Sequence, residues 1–137
     1  MNGPDFLDTN ILVYAYDSTN VRKQAIARKC LKQALDGGAI WSAQVLAEFS
    51  RVLLHKVTPA AKPAELNLIL DNLAPVRIIQ QDFELVRRGV EAHGAYGLRF
   101  WDGMIVAAAE RGRCGRILSQ DLNAGQKYLG VVVVNPF

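Results

Sequence analysis

The feature that most constrains this chain is an alternation of short apolar runs with longer stretches of helical period. The runs are Phe6-Leu7, Ala39-Ile40-Trp41, Val76-Arg77-Ile78-Ile79, Ile117-Leu118 and Val131 to Val134. Runs this short, separated by helices, read as buried strands of a parallel sheet covered on both faces. Between them, Ile11 to Tyr16 reads as a short helix. Val21 to Leu35 is amphipathic, with Ile26, Ala27, Cys30, Leu31 and Ala34 on one face, and Gly37-Gly38 ends it. Ser42 is a good N-cap for a helix from Ala43 to about Lys56, and Pro63 opens a helix carrying Leu66, Ile69, Leu70 and Leu73. Asp82 can cap a helix bearing Phe83, Val86 and Val90. Phe100 to Ala109 is apolar almost all round, which predicts a buried helix. A further short helix is expected over Leu122 to Tyr128. The predicted architecture is a three-layer α/β/α sandwich with a central, mostly parallel sheet of about five strands. With 137 residues, no internal repeat and no linker-like stretch, one domain over residues 1–137 is expected.

Composition narrows the setting. Formal charge is only +3, from 16 basic and 13 acidic residues, and does not by itself indicate a nucleic-acid partner. Cys30 and Cys114 lie far apart without metal-type spacing, so both are expected as buried free thiols. Met1 to Asp5 lacks the charged and apolar regions of a signal peptide, and no apolar run approaches a membrane span. A cytoplasmic protein with no membrane partner is expected.

In an open parallel sheet, ligands bind beyond the carboxyl ends of the strands. Asp8 follows the first predicted strand and Asp121 the fourth. Asp102 stands in the first turn of the apolar helix, and Glu48 shares a helical face with Val45 and Val52. Taken singly, each has an ordinary explanation as a cap, a turn residue or a solvated helix acid. Taken together they raise an electrostatic problem. At an effective dielectric near 20 and about 6 Å spacing, each pair repels by roughly 2.8 kcal/mol. Six pairs sum to over ~15 kcal/mol, more than the stability of a typical domain. Such a cluster needs a divalent cation or proton uptake. Oxygen donors without Cys or His favour Mg²⁺ or Mn²⁺ over Zn²⁺.

Four segments resemble the motifs of PIN-domain proteins, in order and across essentially the whole chain. They are Phe6-Leu7-Asp8-Thr9-Asn10-Ile11-Leu12-Val13-Tyr14, Ser42 to Phe49 around Glu48, Leu98-Arg99-Phe100-Trp101-Asp102 with Ile105, Ala107 and Ala108, and Leu118-Ser119-Gln120-Asp121-Leu122 with Gly125. The ending Val134-Asn135-Pro136-Phe137 is similar to that of one bacterial subgroup. Within the family the resemblance points to VapC-type toxins of toxin–antitoxin pairs. Two positions depart from it: Gln120 where relatives often carry Glu, and Gly103 where they often carry Ala, a change expected to weaken the helix start.

The resemblance implies a Mg²⁺- or Mn²⁺-dependent ribonuclease holding one or two ions. Asp8 and Asp102 would be the main metal ligands, completed by Glu48 and Asp121, with Thr9, Asn10 and Ser119 orienting water around the ions. Implied partners are an RNA substrate, a cognate antitoxin and a second copy in a homodimer. Setting four of the 13 acids aside leaves 9 against 16 basic residues, a formal +7 that suits a phosphate backbone. Arg22, Arg28, Lys29, Lys32, Arg51, Lys56 and Arg99 are rim candidates, of which Arg22, Lys29, Arg51 and Arg99 are the strongest for nucleic-acid binding. Trp101 and Tyr14 stand among apolar residues and are expected in the core, with base stacking as the alternative. A PIN scaffold that only binds nucleic acid predicts a missing acid, whereas all four are present. A PIN nuclease of RNA processing or DNA metabolism usually carries added helical arches or domains. A phosphoacceptor receiver needs adjacent acids after the first strand, where Thr9 and Asn10 stand instead.

Overall fold

A computed structural model describes residues 3–137; Met1 and Asn2, part of the segment read as lacking a signal, lie outside the described residues. The elements run β1 (Asp5–Leu7), α1 (Thr9–Tyr16), α2 (Val21–Leu35), β2 (Ala39–Ser42), α3 (Ala43–His55), α4 (Pro63–Leu73), β3 (Ile78–Ile79), α5 (Phe83–Tyr96), α6 (Phe100–Arg111), β4 (Arg116–Leu118), β5 (Lys127–Tyr128) and β6 (Val131–Val134). The strands form one sheet in the order β3-β2-β1-β4-β6-β5, parallel except where β5 pairs antiparallel with β6. Helix α1 packs against both α2 and α3, α5 packs on α6, and α6 runs across β2, β4 and β6. The expected α/β sandwich is present.

The caps form where the sequence puts them. Ser42 Oγ accepts from Val45 N at 3.3 Å and Asp82 Oδ1 from Leu85 N at 2.9 Å. In α6, Gly103 to Ala109 are all buried, as all-round apolarity requires. Both cysteines are buried and free. None of the helices is long and apolar enough to cross a membrane, among the described residues.

The sixth strand corrects the expected helix over Leu122 to Tyr128. Gly125 N donates to Val133 O at 2.8 Å and Val133 N donates to Gln126 O at 2.9 Å. Apart from one turn bond, Gln126 N to Asn123 O at 3.1 Å, these backbone groups pair with β6 rather than along a helix. Leu129 and Gly130, at φ +47° and +81°, form the two-residue turn that brings β5 back as β6. Helical period over so short a stretch does not outweigh an open edge of the sheet.

Gly103 is also reassigned. A Cβ built there would lie 2.8 Å from Gly89 O and 3.2 Å from His93 N. Both are backbone atoms of α5, so the missing side chain lets α5 and α6 approach closely.

Candidate active site

Chain connections leave β1 in two directions. The link through α1 and α2 leads to β2 on one side, while β4 pairs on the other. The gap between β1 and β4 is thus the switch point where open α/β sheets bind ligands. Asp8 N donates to Leu118 O and Ser119 N to Val134 O, both at 3.0 Å, so Asp8 and Ser119 extend neighbouring strands side by side at that gap.

A cleft of about 510 Å³ opens there. Asp8, Glu48, Asp102 and Asp121 all line it, arriving from β1, α3, the first turn of α6 and the loop after β4. Asp8 is buried, Glu48 and Asp102 are half-buried and Asp121 is exposed. The acids grade from the floor of the cleft to its rim.

Each carboxylate has a polar neighbour. Asp8 caps α1, accepting from Thr9 N at 2.8 Å, and its second oxygen accepts from Ser119 Oγ at 2.8 Å. Thr9 Oγ1 donates to Glu48 Oε2 at 3.1 Å. Asn10 Nδ2 donates to Asp121 Oδ2 at 3.0 Å. Arg99 Nε donates to Asp102 Oδ2 at 3.1 Å. Thr9, Asn10 and Ser119 therefore each touch a cleft acid. Gln120, the departure from the family pattern, accepts from Lys23 Nζ at 2.6 Å.

Burial pushes the Asp8 carboxyl up from the usual carboxylate range to about 6. Hydrogen bonds from Ser119 and Thr9 oppose the rise, and the charges of Asp121 and Glu48 add to it. A buried anion near two others is a site short of positive charge. The cleft offers only oxygen donors from its acids, with no Cys or His among the described residues that line it, a donor set suited to a hard divalent cation. In the arrangement shown, among the described residues, no three His, Cys, Asp or Glu side chains stand close enough to hold one ion. Their hydrogen bonds hold the carboxylates along the walls, so joint coordination requires side-chain rotation.

The basic candidates divide. Arg51 and Arg99 line the cleft. Arg22 and Lys29 do not: Arg22 Nη1 donates to the Phe137 main-chain O at 2.8 Å, and Lys29 is exposed elsewhere on α2. Of the α2 cations, Lys23 reaches the loop that carries Asp121, through Gln120, while Arg22 and Lys29 point away from the cleft wall. Trp101 corrects the expectation of a core residue: it lines the cleft and is 59 % exposed. Tyr14 is half-buried and stacks edge-on with Phe137, ring centroids 5.1 Å apart.

Gln44 is the site residue that sequence reasoning missed. It is buried, lines the cleft, and donates Nε2 to Glu48 Oε1 at 3.0 Å and to Trp101 O at 3.1 Å. Two acceptors fix its amide orientation and leave Oε1 buried without a partner. Its signal was the Gln-to-Glu spacing of one helical turn.

Comparison with curated proteins gave no match. Solved structures share the fold. A toxin–antitoxin complex from Klebsiella pneumoniae matches at TM-score 0.66 and 22% identity, covering 97% of this chain and 98% of that one. VapBC2 from Rickettsia felis, bound to a DNA fragment from its promoter, matches at 0.63 and 18%, covering 94% and 96%. VapC20 from Mycobacterium tuberculosis, described as a Sarcin-Ricin loop cleaving toxin, matches at 0.61 and 17%, covering 85% and 91%. The PIN domain family model matches residues 6–128, from the first strand to the edge strand β5, and by that match the chain belongs to the PIN-domain family.

Proposed function

We propose that this chain is a divalent-metal-dependent endoribonuclease and the toxin of a toxin–antitoxin pair. The observation that carries this reading is the convergence of Asp8, Glu48, Asp102 and Asp121 on one cleft at the switch point, with Arg51 and Arg99 in its wall. Asp8 and Asp102 are the main candidate ligands for one or two Mg²⁺ or Mn²⁺ ions, with Glu48 and Asp121 completing the set. When bound, such ions activate water and offset charge on the phosphoryl oxygens. The residues of the chain prepare the site. Thr9 and Gln44 hold the two oxygens of Glu48, Asn10 holds Asp121, and Ser119 anchors Asp8. Arg51 and Arg99 are placed to receive the phosphates of a strand entering the cleft.

The toxin role rests on likeness. The solved structures that share the fold include toxin–antitoxin complexes and a toxin described as Sarcin-Ricin loop cleaving. The cognate antitoxin would lay a basic side chain into the acid cleft, pairing with Asp8 and Asp102 where the ions bind. A homodimer is part of the same proposal.

The test is cleavage of total cellular RNA with Mg²⁺ or Mn²⁺, read by mapping new ends for the parent and for Asp8→Ala. New ends made by the parent alone, and lost with EDTA, are expected. Identical maps from the two proteins refute the ribonuclease reading.

A further inference from the structure

Trp101 stands in the first turn of the most buried helix of the fold, beside Asp102, yet it is 59 % exposed. Large aromatic side chains left in water mark contact surfaces more often than scattered small apolar ones do. Phe100 meets the indole edge-on, with centroids 5.1 Å apart and planes at 72°, which braces the ring and leaves much of its surface open. Among the described residues, Trp101 is the one aromatic side chain lining the acid cleft.

Two guanidinium groups share that cleft. Arg51 is exposed and forms no ion pair among the described residues. The Arg99 side chain is 83 % exposed and touches Asp102 through Nε, leaving its other donors free. The cleft thus presents a flat π surface, two cations and four carboxylates together. A basic peptide would satisfy the carboxylates and leave Arg51 unneutralised. A nucleic-acid strand uses all three features: phosphates against the guanidinium groups, a scissile linkage at the acids and a base on the ring.

We propose that Trp101 is a base-stacking platform at the acid cleft, so that the cleft selects a strand whose base is unpaired. The proposal rests on the ribonuclease reading above and deepens it. In a duplex both faces of an interior base are already stacked, and the indole has nothing to receive.

The chain holds two tryptophans, and Trp41 is fully buried in β2, so Trp101 is the one that a ligand in the cleft can reach. The experiment is a fluorescence titration in an Asp8→Asn background, which prevents turnover, with a single-stranded RNA oligonucleotide and the duplex of the same sequence. Single strands are expected to quench the emission and duplexes to leave it unchanged. In the same background, Trp101→Ala is expected to weaken single-strand binding about ten-fold, followed by anisotropy of a labelled strand, while Trp101→Phe keeps most of it. Melting curves of the variants check that each is folded. Equal affinity with and without the indole, or equal binding of the duplex, overturns the platform. If the parent still cuts cellular RNA in that case, only the platform falls. If the parent neither binds nor cuts RNA, the ribonuclease reading falls with it. A Trp101→Ala variant that keeps RNA affinity but loses a protein partner assigns the indole to that partner and also overturns the proposal.

Discussion

Ser119 Oγ donates to Asp8 Oδ2 at 2.8 Å and at the same time accepts from Asp121 N at 3.1 Å and Leu122 N at 3.2 Å. One hydroxyl thereby ties the carboxylate at the end of β1 to the loop that carries Asp121. Its proton is committed to Asp8, so the direction of that bond is fixed by the two backbone donors on its other side.

Asp8 nevertheless remains costly to ionise. Its carboxyl is raised from 3.8 to about 6, chiefly by burial. A raised carboxyl stabilises the fold fully below the unfolded value near 3.8 and loses that contribution as pH climbs through 6. The loss is on the order of 3 kcal/mol. In EDTA, Asp8→Asn is expected to remove this decline and to be more stable than the parent at pH 7.5, by about 1–3 kcal/mol. The gain is less than the full amount because an amide has one acceptor oxygen for two donors, Ser119 Oγ and Thr9 N. Urea denaturation of both proteins at pH 4 and 7.5 checks this. A parent no less stable than the variant at pH 7.5 contradicts it.

Metal should reverse that penalty. A ligand that binds only the folded state raises its stability by about 2.7 kcal/mol at a hundred times its Kd. At this chain length each kcal/mol moves the melting midpoint by roughly 3–5 °C. Mg²⁺ or Mn²⁺ is therefore expected to raise the midpoint of the parent by several degrees at pH 7.5 and by less at pH 5, where protons compete for Asp8. Asp8→Asn with Asp102→Asn should abolish the response. A parent midpoint insensitive to both ions at pH 7.5 counts against the metal site.

The sheet was legible because parallel strands buried on both faces read as apolar runs, and Ser42 and Asp82 announce their helices by capping chemistry. Asp8, Asp121 and Asp102 were legible from their places after strands or in a first turn, and Glu48 from the helical face it shares with Val45 and Val52. Three things were not. The β5 edge depends on an antiparallel return over Leu129 and Gly130, which no local period encodes. The exposure of Trp101 depends on where the first turn of α6 meets the cleft, and its apolar neighbours suggested the core instead. Arg22 and Lys29 share a charged helix face with no mark that it turns away from the switch point, whereas Arg51 sits three residues beyond Glu48 on α3 and follows it to the cleft.

Gly103→Ala should destabilise the protein, although alanine is the better helix former by about 1 kcal/mol. The added Cβ meets Gly89 O at 2.8 Å, and α5 would have to move away from α6. Overpacking of this kind costs about 1–3 kcal/mol. Thermal melting of the single variant decides between propensity and packing, and an unchanged or higher midpoint would show that α5 yields without strain.

Gln44→Leu should release Glu48 and the start of α6 while filling similar space. Loss of a partner that orients a metal ligand typically weakens binding 10–100-fold. About ten-fold weaker Mn²⁺ binding is expected by calorimetry. The fold should be little harmed, because the substitution also removes the buried, unpartnered Oε1. Undiminished Mn²⁺ affinity would show that Thr9 alone positions Glu48.

The division among the basic residues can be read from salt dependence. Removing a cation that neutralises one phosphate should reduce the slope of log affinity against log salt by about one. Arg51→Ala and Arg99→Ala are each expected to weaken binding of a single-stranded RNA and to flatten that slope, measured in the Asp8→Asn background so that no strand is cut. Arg99→Ala should show the larger loss of affinity, because it also unmasks the Asp102 carboxylate, whose charge repels phosphate. Arg22→Ala and Lys29→Ala should leave the slope unchanged, since neither side chain lines the cleft. Arg22→Ala should instead loosen the chain end, where the guanidinium holds the Phe137 carbonyl, and so lower the melting midpoint slightly. Salt slopes altered by the α2 substitutions and untouched by those at Arg51 and Arg99 would place the strand across α2, and the cleft would lose its claim on the phosphate backbone.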